Sequence, residues 1–438
     1  MNSKMSKEII LINPRYPGFV IGCIQNLATR KPIPYSLLTL AALSPQGYKV
    51  RIINQKNLWL PGDFTGAKLV GITCLTSNVW EGYLLADKFR KAGSRVVMGG
   101  PHVTAMPDEA LKHADSVVLG EGESVWPTVV RDFENNCMRE IYKGEPLEDF
   151  FSPVFDYFIK TDRKLLSRVG IHIDRGCKYH CDFCARISNR LRFVKIEQVI
   201  ALVERIKGPG KRLLNLKPLI VFGCDNIYSS PNYAKELFKK IAPFNIRWGA
   251  NCSIDIGFDI EALQLAKASG CRGLLIGFET IHPEDYQKTS LKEVHSAEDY
   301  KIAINNIRSH GIKIIGSFIM GLDNYKNIDY LKLWWFLVRA RLWHFYLTIL
   351  TPFPGSELFD RLKKEGRILS FDWRKYNLLF CVIRLKNTSI FNLYIWFILI
   401  RASSVLFSPA LIILWLTFNL SLMLGSGLGE WFKYNFLK

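Results

Sequence analysis

The chain has 438 residues, too many for one ordinary hydrophobic core, so two or three domains are expected. Its ten cysteines are scattered rather than densely and regularly spaced, which excludes a secreted disulfide scaffold, and the polar stretch from Met1 to Lys7 offers no signal peptide. A formal charge of +19 admits nucleic acid, an anionic membrane or an acidic substrate as partner.

Residues 8–14 read as a buried parallel strand ending in a turn, followed by a helical pattern over 35–43. Further strands are predicted at 49–54, 69–73, 95–100 and 116–120, with a helix over 80–91. Strands and helices alternating at this pitch argue an α/β fold, a doubly wound parallel sheet whose ligands bind beyond the strand carboxyl ends. Those ends carry Asn13-Pro14-Arg15, Thr73 to Asn78, Gly99-Gly100-Pro101-His102 and Gly120-Glu121-Gly122-Glu123. Gly99, Gly100 and Gly120 would let a ligand approach the backbone closely, and the hydroxyls of Thr73 and Ser77 can hydrogen-bond it.

Residues 131–168 are polar and aromatic, with Pro146 and Pro153, and read as a linker. Strand–helix units then resume, with strands at 169–173, 218–222, 247–253, 273–280, 313–321 and 344–350 and a helix at 196–206. Directly after the first of these strands stand Cys177, Cys181 and Cys184, spaced C-x3-C-x2-C. Thiolates favour iron–sulfur clusters, zinc or copper(I). Zinc would need a fourth ligand, and the nearest, His180, lies strained between two cysteines. Three cysteines suit a four-iron cluster with one iron open to an exogenous ligand. Three reduced cysteines without metal are the remaining reading.

Cys177, Cys181 and Cys184, with Phe183 just before the third cysteine, resemble the signature of the radical S-adenosylmethionine (SAM) superfamily. The resemblance implies a [4Fe–4S] cluster on these cysteines, reductive cleavage of SAM to a 5′-deoxyadenosyl radical, and a partial (β/α)6 barrel with its chemistry at the strand carboxyl ends. It carries SAM contacts onto Phe183, Asp225, Asn226, Ser253 and Glu279. Related members have two acids where this chain has Cys224-Asp225, and Cys224 reads as a small buried residue. Thr351-Pro352-Phe353-Pro354-Gly355-Ser356, followed by Leu362, Glu365, Gly366 and Arg367, is similar to the motif that ends the barrel. The N-terminal part resembles the cobalamin-binding domain found ahead of many of these enzymes, which places Thr73, Ser77, Gly99, Gly100, Gly120 and Glu121 at cobalamin. The Asp-x-His-x-x-Gly signature that supplies an axial histidine to cobalt is absent, so His102 reads as structural or substrate-facing. The pattern is most similar to radical SAM enzymes acting on membrane lipids, such as the hopanoid C-2 methylases.

The expected organisation is a cobalamin-binding-like domain over 1–140, a linker over 141–167, the barrel over 168–380 and a hydrophobic helical tail over 381–438. Between Lys386 and Glu430 the only charge is Arg401, and the 23 residues from Ala402 to Leu424 are uncharged, long enough to cross a bilayer. Residues 390–400 form a second apolar stretch, suited to an interfacial helix. From Lys301 to Lys386, fifteen Lys or Arg stand against six Asp or Glu, so cationic charge leads into the tail. A cytoplasmic enzyme held at the inner membrane face is expected, fed by a flavodoxin or ferredoxin as electron donor. The expected reaction is cobalamin-dependent methylation of an unactivated carbon in a lipid-like or other apolar small molecule. The same cofactors also serve cyclisation, coupling or rearrangement. RNA modification is a third reading, but no aromatic RNA-binding motif accompanies the charge and nucleic acid is not the expected partner.

Overall fold

A computed structural model of the chain describes residues 7–16, 33–55, 68–162, 164–166, 170–188, 190–207, 219–282 and 296–407. Two six-stranded parallel sheets organise them. The first comprises β1 (Lys7–Asn13), β2 (Tyr48–Asn54), β3 (Leu69–Thr73), β4 (Arg95–Gly99), β5 (Ser116–Gly120) and β6 (Ile141–Gly144) in the order β2-β1-β3-β4-β5-β6. Ile9, Ile10, Leu11 and Ile12 are all fully buried, which is why β1 reads as an unbroken apolar run rather than an alternating one. One face packs Leu11, Val97 and Val118 on Trp126, and the other packs Ile10, Ile72 and Met98 on Val79 and Tyr83. Within the stretch read as a linker, Ile141–Gly144 pairs with β5 and extends this sheet. Its four residues are too few to carry an alternating pattern.

The strand order reverses between β1 and β3, the switch point where such sheets open a crevice. The protein's own groups occupy the rim of that crevice. Arg15 donates Nε and Nη2 to the two oxygens of Glu81 at 3.0 Å each, and Asn78 Nδ2 donates to the Pro14 carbonyl at 3.1 Å.

The second sheet runs β14-β13-β12-β11-β10-β7, formed from β7 (Ile171–His172), β10 (Leu219–Gly223), β11 (Arg247–Cys252), β12 (Cys271–Glu279), β13 (Lys313–Met320) and β14 (His344–Ile349). Sequential parallel order with intervening helices makes this the partial barrel. The helix starts are capped: Ser230, Asp259 and Ser356 accept from the amides of Tyr233, Ala262 and Phe359. Ile220, Phe222, Trp248, Ile276 and Phe278 are buried under those helices. The opposite face is cut back. One register row reads Val221, Gly249, Gly273, Lys313, the next Asn251, Leu275, Ile315, His344, and a third Gly277, Ser317, Tyr346. Val221, Asn251 and Tyr346 on that face are exposed, so the lumen keeps open space rather than filled layers.

The strand predicted at 169–173 is shorter than expected. After His172 the chain enters β8 (Asp174–Arg175), which pairs antiparallel with β9 (Arg192–Phe193). Beyond the barrel, Trp373, Tyr376, Val382 and Ile383 return to the core of the first sheet, and Trp373 Nε1 donates to Glu109 at 2.8 Å. The helix Ile390–Phe407 lies along the free edge of β14, where Arg401 Nη2 donates to the Leu347 carbonyl at 3.1 Å. Among the described residues no helix is long and apolar enough to cross a membrane. Of the predicted spanning run from Ala402 to Leu424, the residues through Phe407 end this helix, and positions 408–424 lie outside the described residues.

Candidate active site

The cysteine loop hangs between β8 and β9. Gly176 takes φ +82°, and a Cβ there would strike the Arg190 carbonyl, so only glycine lets the loop pass beneath β9. Cys177 is buried, Cys181 and Cys184 half-buried, and the Cys184 amide donates to the Cys181 carbonyl at 3.0 Å, turning the loop back on itself. Burial pushes the Cys181 thiol up to about 12, with further upward pushes from Cys184, Glu279 and Cys177. Burial also raises Cys184, opposed by Arg186. Thiols that act on one another's ionisation lie near one another, and a soft cation that bound them would displace their protons to solvent.

Among the described residues no group of three His, Cys, Asp or Glu could hold a single metal ion, and His180, the fourth ligand that zinc would need, is exposed. Three thiols carried on one loop suit a cluster, in which each sulfur takes a different iron.

The strand ends of the barrel gather around this loop. Asn226 Nδ2 donates to Ser253 Oγ at 3.1 Å and receives the Ser253 amide on Oδ1 at 2.9 Å. Ser253 Oγ donates to Asp255 at 3.2 Å, and Asp255 also accepts from Tyr179 of the cysteine loop. Asp225 and Arg186 lie within electrostatic reach of Cys184. Burial and then the Asp225 charge push Asp174 up to about 8, although the Asp225 amide donates to it at 3.3 Å. Glu279 takes φ +56°, a strained conformation for a side chain of its size. It lies deep in the fold yet keeps accessible surface, which therefore faces the lumen, and burial pushes its carboxyl up to about 7. Phe183 packs against the core of the first sheet. Cys224 Sγ is spent on the carbonyls of Phe222 and Asn251, both at 3.7 Å.

Four buried atoms on three side chains near the loop have unspent hydrogen-bonding capacity: Asp174 Oδ2, Asp255 Oδ1, and Nε and Nη1 of Arg186, whose guanidinium also lies against Cys177 and Cys184. Buried polar atoms are normally satisfied, so their clustering marks the seat of a polar ligand carrying both donors and acceptors. An amino-acid moiety has that composition. Sequence reasoning missed Asp174, Tyr179, Arg186 and Asp255. Arg186 lies two residues past Cys184, the one local signal that could have found it.

The residues expected at cobalamin divide. Thr73, Ser77, Gly99, Gly100 and Gly120 keep accessible surface along the carboxyl rim of the first sheet, beside exposed Leu75. A shelf of small groups next to an exposed leucine suits one face of a large flat ligand. Two of the glycines also have a structural reason. A Cβ on Gly100 would come within 2.7 Å of the Cys74 carbonyl, and one on Gly120 would strike Gly144. Glu121 differs from these five in its surroundings. It is buried and accepts from Arg192 and, at 3.2 Å, from Arg175, while Glu123 also holds Arg175. These pairs join the rim of β5 to the hairpin carrying the cysteine loop, and Arg175 and Arg192 both lie over the Phe150 ring. His102 is wholly buried, with Nδ1 3.2 Å from Thr76 Oγ1 and its ring edge-on to Trp373.

Two family models match the chain: the radical SAM superfamily over residues 171–333 and the B12 binding domain over residues 62–130. The chain is 30% identical to bacteriochlorophyllide d C-12(1)-methyltransferase of Chlorobaculum tepidum, over 79% of this chain and 76% of that protein. It is 24% identical to hopanoid C-2 methylase of Rhodopseudomonas palustris, over 86% and 74%. Among solved structures it resembles the radical S-adenosylmethionine methyltransferase TsrM from Kitasatospora setae with cobalamin and a [4Fe-4S] cluster bound, at TM-score 0.62 and 18% identity, covering 82% of this chain and 78% of that one.

Proposed function

We infer, from the premise that this chain belongs to the cobalamin-binding radical SAM methyltransferase family, that it methylates an unactivated carbon of an apolar, lipid-like small molecule. It is an enzyme of this family, and its cofactors are a [4Fe–4S] cluster, SAM and cobalamin. When bound, these groups supply the electron that cleaves SAM, the hydrogen-abstracting radical and the transferable methyl group.

The observation that carries the reading is the gathering of three loop thiols with the unspent atoms of Asp174, Asp255 and Arg186. Cys177, Cys181 and Cys184 hold the cluster. Arg186 offers its unspent N–H groups to the SAM carboxylate. Asp225, Asn226 and Ser253 receive the amino group, and Glu279 meets the ribose or the amino-acid moiety. Phe183 wedges the loop against the first sheet. Thr73, Ser77, Gly99, Gly100 and Gly120 line the cobalamin shelf, while Glu121 sets the distance between shelf and cluster through Arg175 and Arg192. The protein's part is to hold these groups in register and to keep water from the reacting carbon.

Val221, Leu275 and Ile315 on the lumen face support an apolar substrate. So do the relatives, whose names specify a bacteriochlorophyllide and a hopanoid. We assign the cobalamin shelf to residues 1–144, one strand beyond the boundary expected from sequence, and the barrel to 168–380. A flavodoxin or ferredoxin is the electron donor, and the tail from 381 onward holds the enzyme at the cytoplasmic face of the membrane. The test is anaerobic reconstitution with iron, sulfide, cobalamin and SAM bearing a deuterated methyl group, followed by mass analysis of an added apolar extract. A product heavier by one labelled methyl supports the reading. Turnover of substrate without label in the product assigns non-methylating chemistry instead.

A further inference from the structure

Two helices leave the barrel with apolar faces turned outward. The helix Asn327–Ala340 exposes Ile328, Leu331 and Trp335, and Ile390–Phe407 exposes Phe391, Ile395, Ile398 and Leu399. Phe391 is 74% exposed and Ile398 63%, far more than residues that merely edge a core. The helices run side by side and parallel. Asn392 Nδ2 reaches Asn327 Oδ1 at 3.5 Å near their first turns, and Trp334 Nε1 donates to Ser403 Oγ at 3.0 Å further along. At 100° per residue, Leu331 lies on the flank turned to the second helix, and Leu399 on the flank turned to the first. The seven side chains therefore form one continuous apolar face across both helices. Cations edge it. Lys332 and Arg339 lie along the outer side of the first helix, with Arg339 over the Trp335 ring at 4.6 Å, and Arg401 lies on the outer side of the second. The only acid on the first helix, Asp329, is buried, and Lys332 Nζ donates to it at 3.1 Å, so Arg339 is the cation of that helix turned to the headgroups.

We propose that this two-helix face is a membrane seat, and that its occupant is an anionic bilayer surface. A broad apolar face edged by Lys and Arg is the composition of a helix lying in the lipid interface, and anionic headgroups are the complement of the flanking cations. The uncharged run from Ala402 to Leu424 continues directly from the second helix, so apolar chain follows the face in sequence. The location links the seat to turnover. Arg401 binds the free edge of β14, and Tyr346 of that strand is 47% exposed in the lumen register. An apolar substrate leaving the bilayer would meet this open edge of the barrel first. The inference rests on the proposed activity only for that last step, since lipid binding is read without turnover.

The experiment is sedimentation of the full chain with vesicles of phosphatidylcholine, alone or mixed with phosphatidylglycerol, alongside iron content. Trp335→Ser/Phe391→Ser/Ile398→Ser should lower partition into mixed vesicles by more than tenfold with iron unchanged, because all three positions are exposed in the fold. Arg339→Gln should weaken binding to mixed vesicles by about fivefold and barely affect phosphatidylcholine alone. Three results overturn the proposal. The triple variant sediments as the unaltered protein does, with binding lost only on truncation after Phe407, which makes the segment beyond Phe407 the anchor. The unaltered protein ignores both vesicles. Or it forms a lipid-independent dimer that the triple variant abolishes, which makes a second copy the occupant.

Discussion

Arg192→Met should separate the two halves of the site without touching a proposed cofactor ligand. The Arg192 side chain is 2% exposed and its partner Glu121 7%. Arg192 also donates to the Leu147 carbonyl at 2.6 Å. Truncating one partner of a buried pair costs about 3–5 kcal/mol, mostly because the other charge is stranded. Arg175 remains 3.2 Å from Glu121, so the expected loss is at the lower end, about 3 kcal/mol. Glu121→Gln should cost a similar amount by stranding Arg192. In the double variant no charge is stranded, and Arg175 keeps Glu123, so the two losses should fall short of adding by about 2 kcal/mol. Urea unfolding of cluster-free protein, followed by tryptophan fluorescence, reads all four corners of the cycle. Loaded Arg192→Met should also cleave SAM with less methyl transferred per cleavage, because β5 and the cysteine hairpin are no longer pinned together. A cost for Arg192→Met below about 1 kcal/mol, or strictly additive losses, would refute the account of a buried clamp.

Alanine at Cys177, Cys181 or Cys184 should each abolish the brown chromophore of reconstituted protein, whereas Cys224→Ala should retain it, since that sulfur is spent on two backbone carbonyls. Iron and sulfide analysis decides between the outcomes. Arg186→Gln should keep its cluster but bind SAM at least tenfold more weakly in equilibrium dialysis, because a charge-assisted bond is worth about 1.5–3 kcal/mol; equal affinity would remove Arg186 from the SAM site. His344 is held to about 4 by burial first and Arg401 second. The unfolded imidazole takes its proton near 6.5 and the folded one only near 4, so stability should fall as pH drops through that window. His344→Gln should therefore lose about 1–2 kcal/mol less between neutral pH and pH 4.5, a range already discounted for partial exposure, as measured by thermal unfolding across pH.

How far the sequence reveals this site depends on how local each signal is. The buried strands of both sheets announce themselves as apolar runs, and the cysteine spacing names its chemistry within eight residues. β6 escapes because four edge residues, Ile141-Tyr142-Lys143-Gly144, leave no period to read. The ion pairs of Glu121 escape for another reason. A glycine–acid loop at a strand end looks the same whether it meets a ligand or a guanidinium, and its partners lie 54 and 71 residues away. The unspent atoms of Asp174, Asp255 and Arg186 are a property of packing and have no sequence signature. His102 lies in a loop that suggests ligand contact, and only the fold shows it enclosed by Thr76, Glu109 and Trp373.

The return of Trp373, Tyr376, Val382 and Ile383 to the first sheet has a consequence for biosynthesis. The Trp373–Glu109 contact spans 264 positions of chain. At roughly 5–20 residues per second, a ribosome takes on the order of 15–50 s to travel that far. Once β6 is made, and for most of that interval, the nascent first sheet has its strands but lacks part of its apolar cover, so it waits with a raw face on the side of Tyr83 and Val103. The two modules are therefore unsuited to being cut apart and recombined with other partners. A fragment ending before the barrel would carry an unfinished core, and the natural holder of that face during synthesis would be a chaperone.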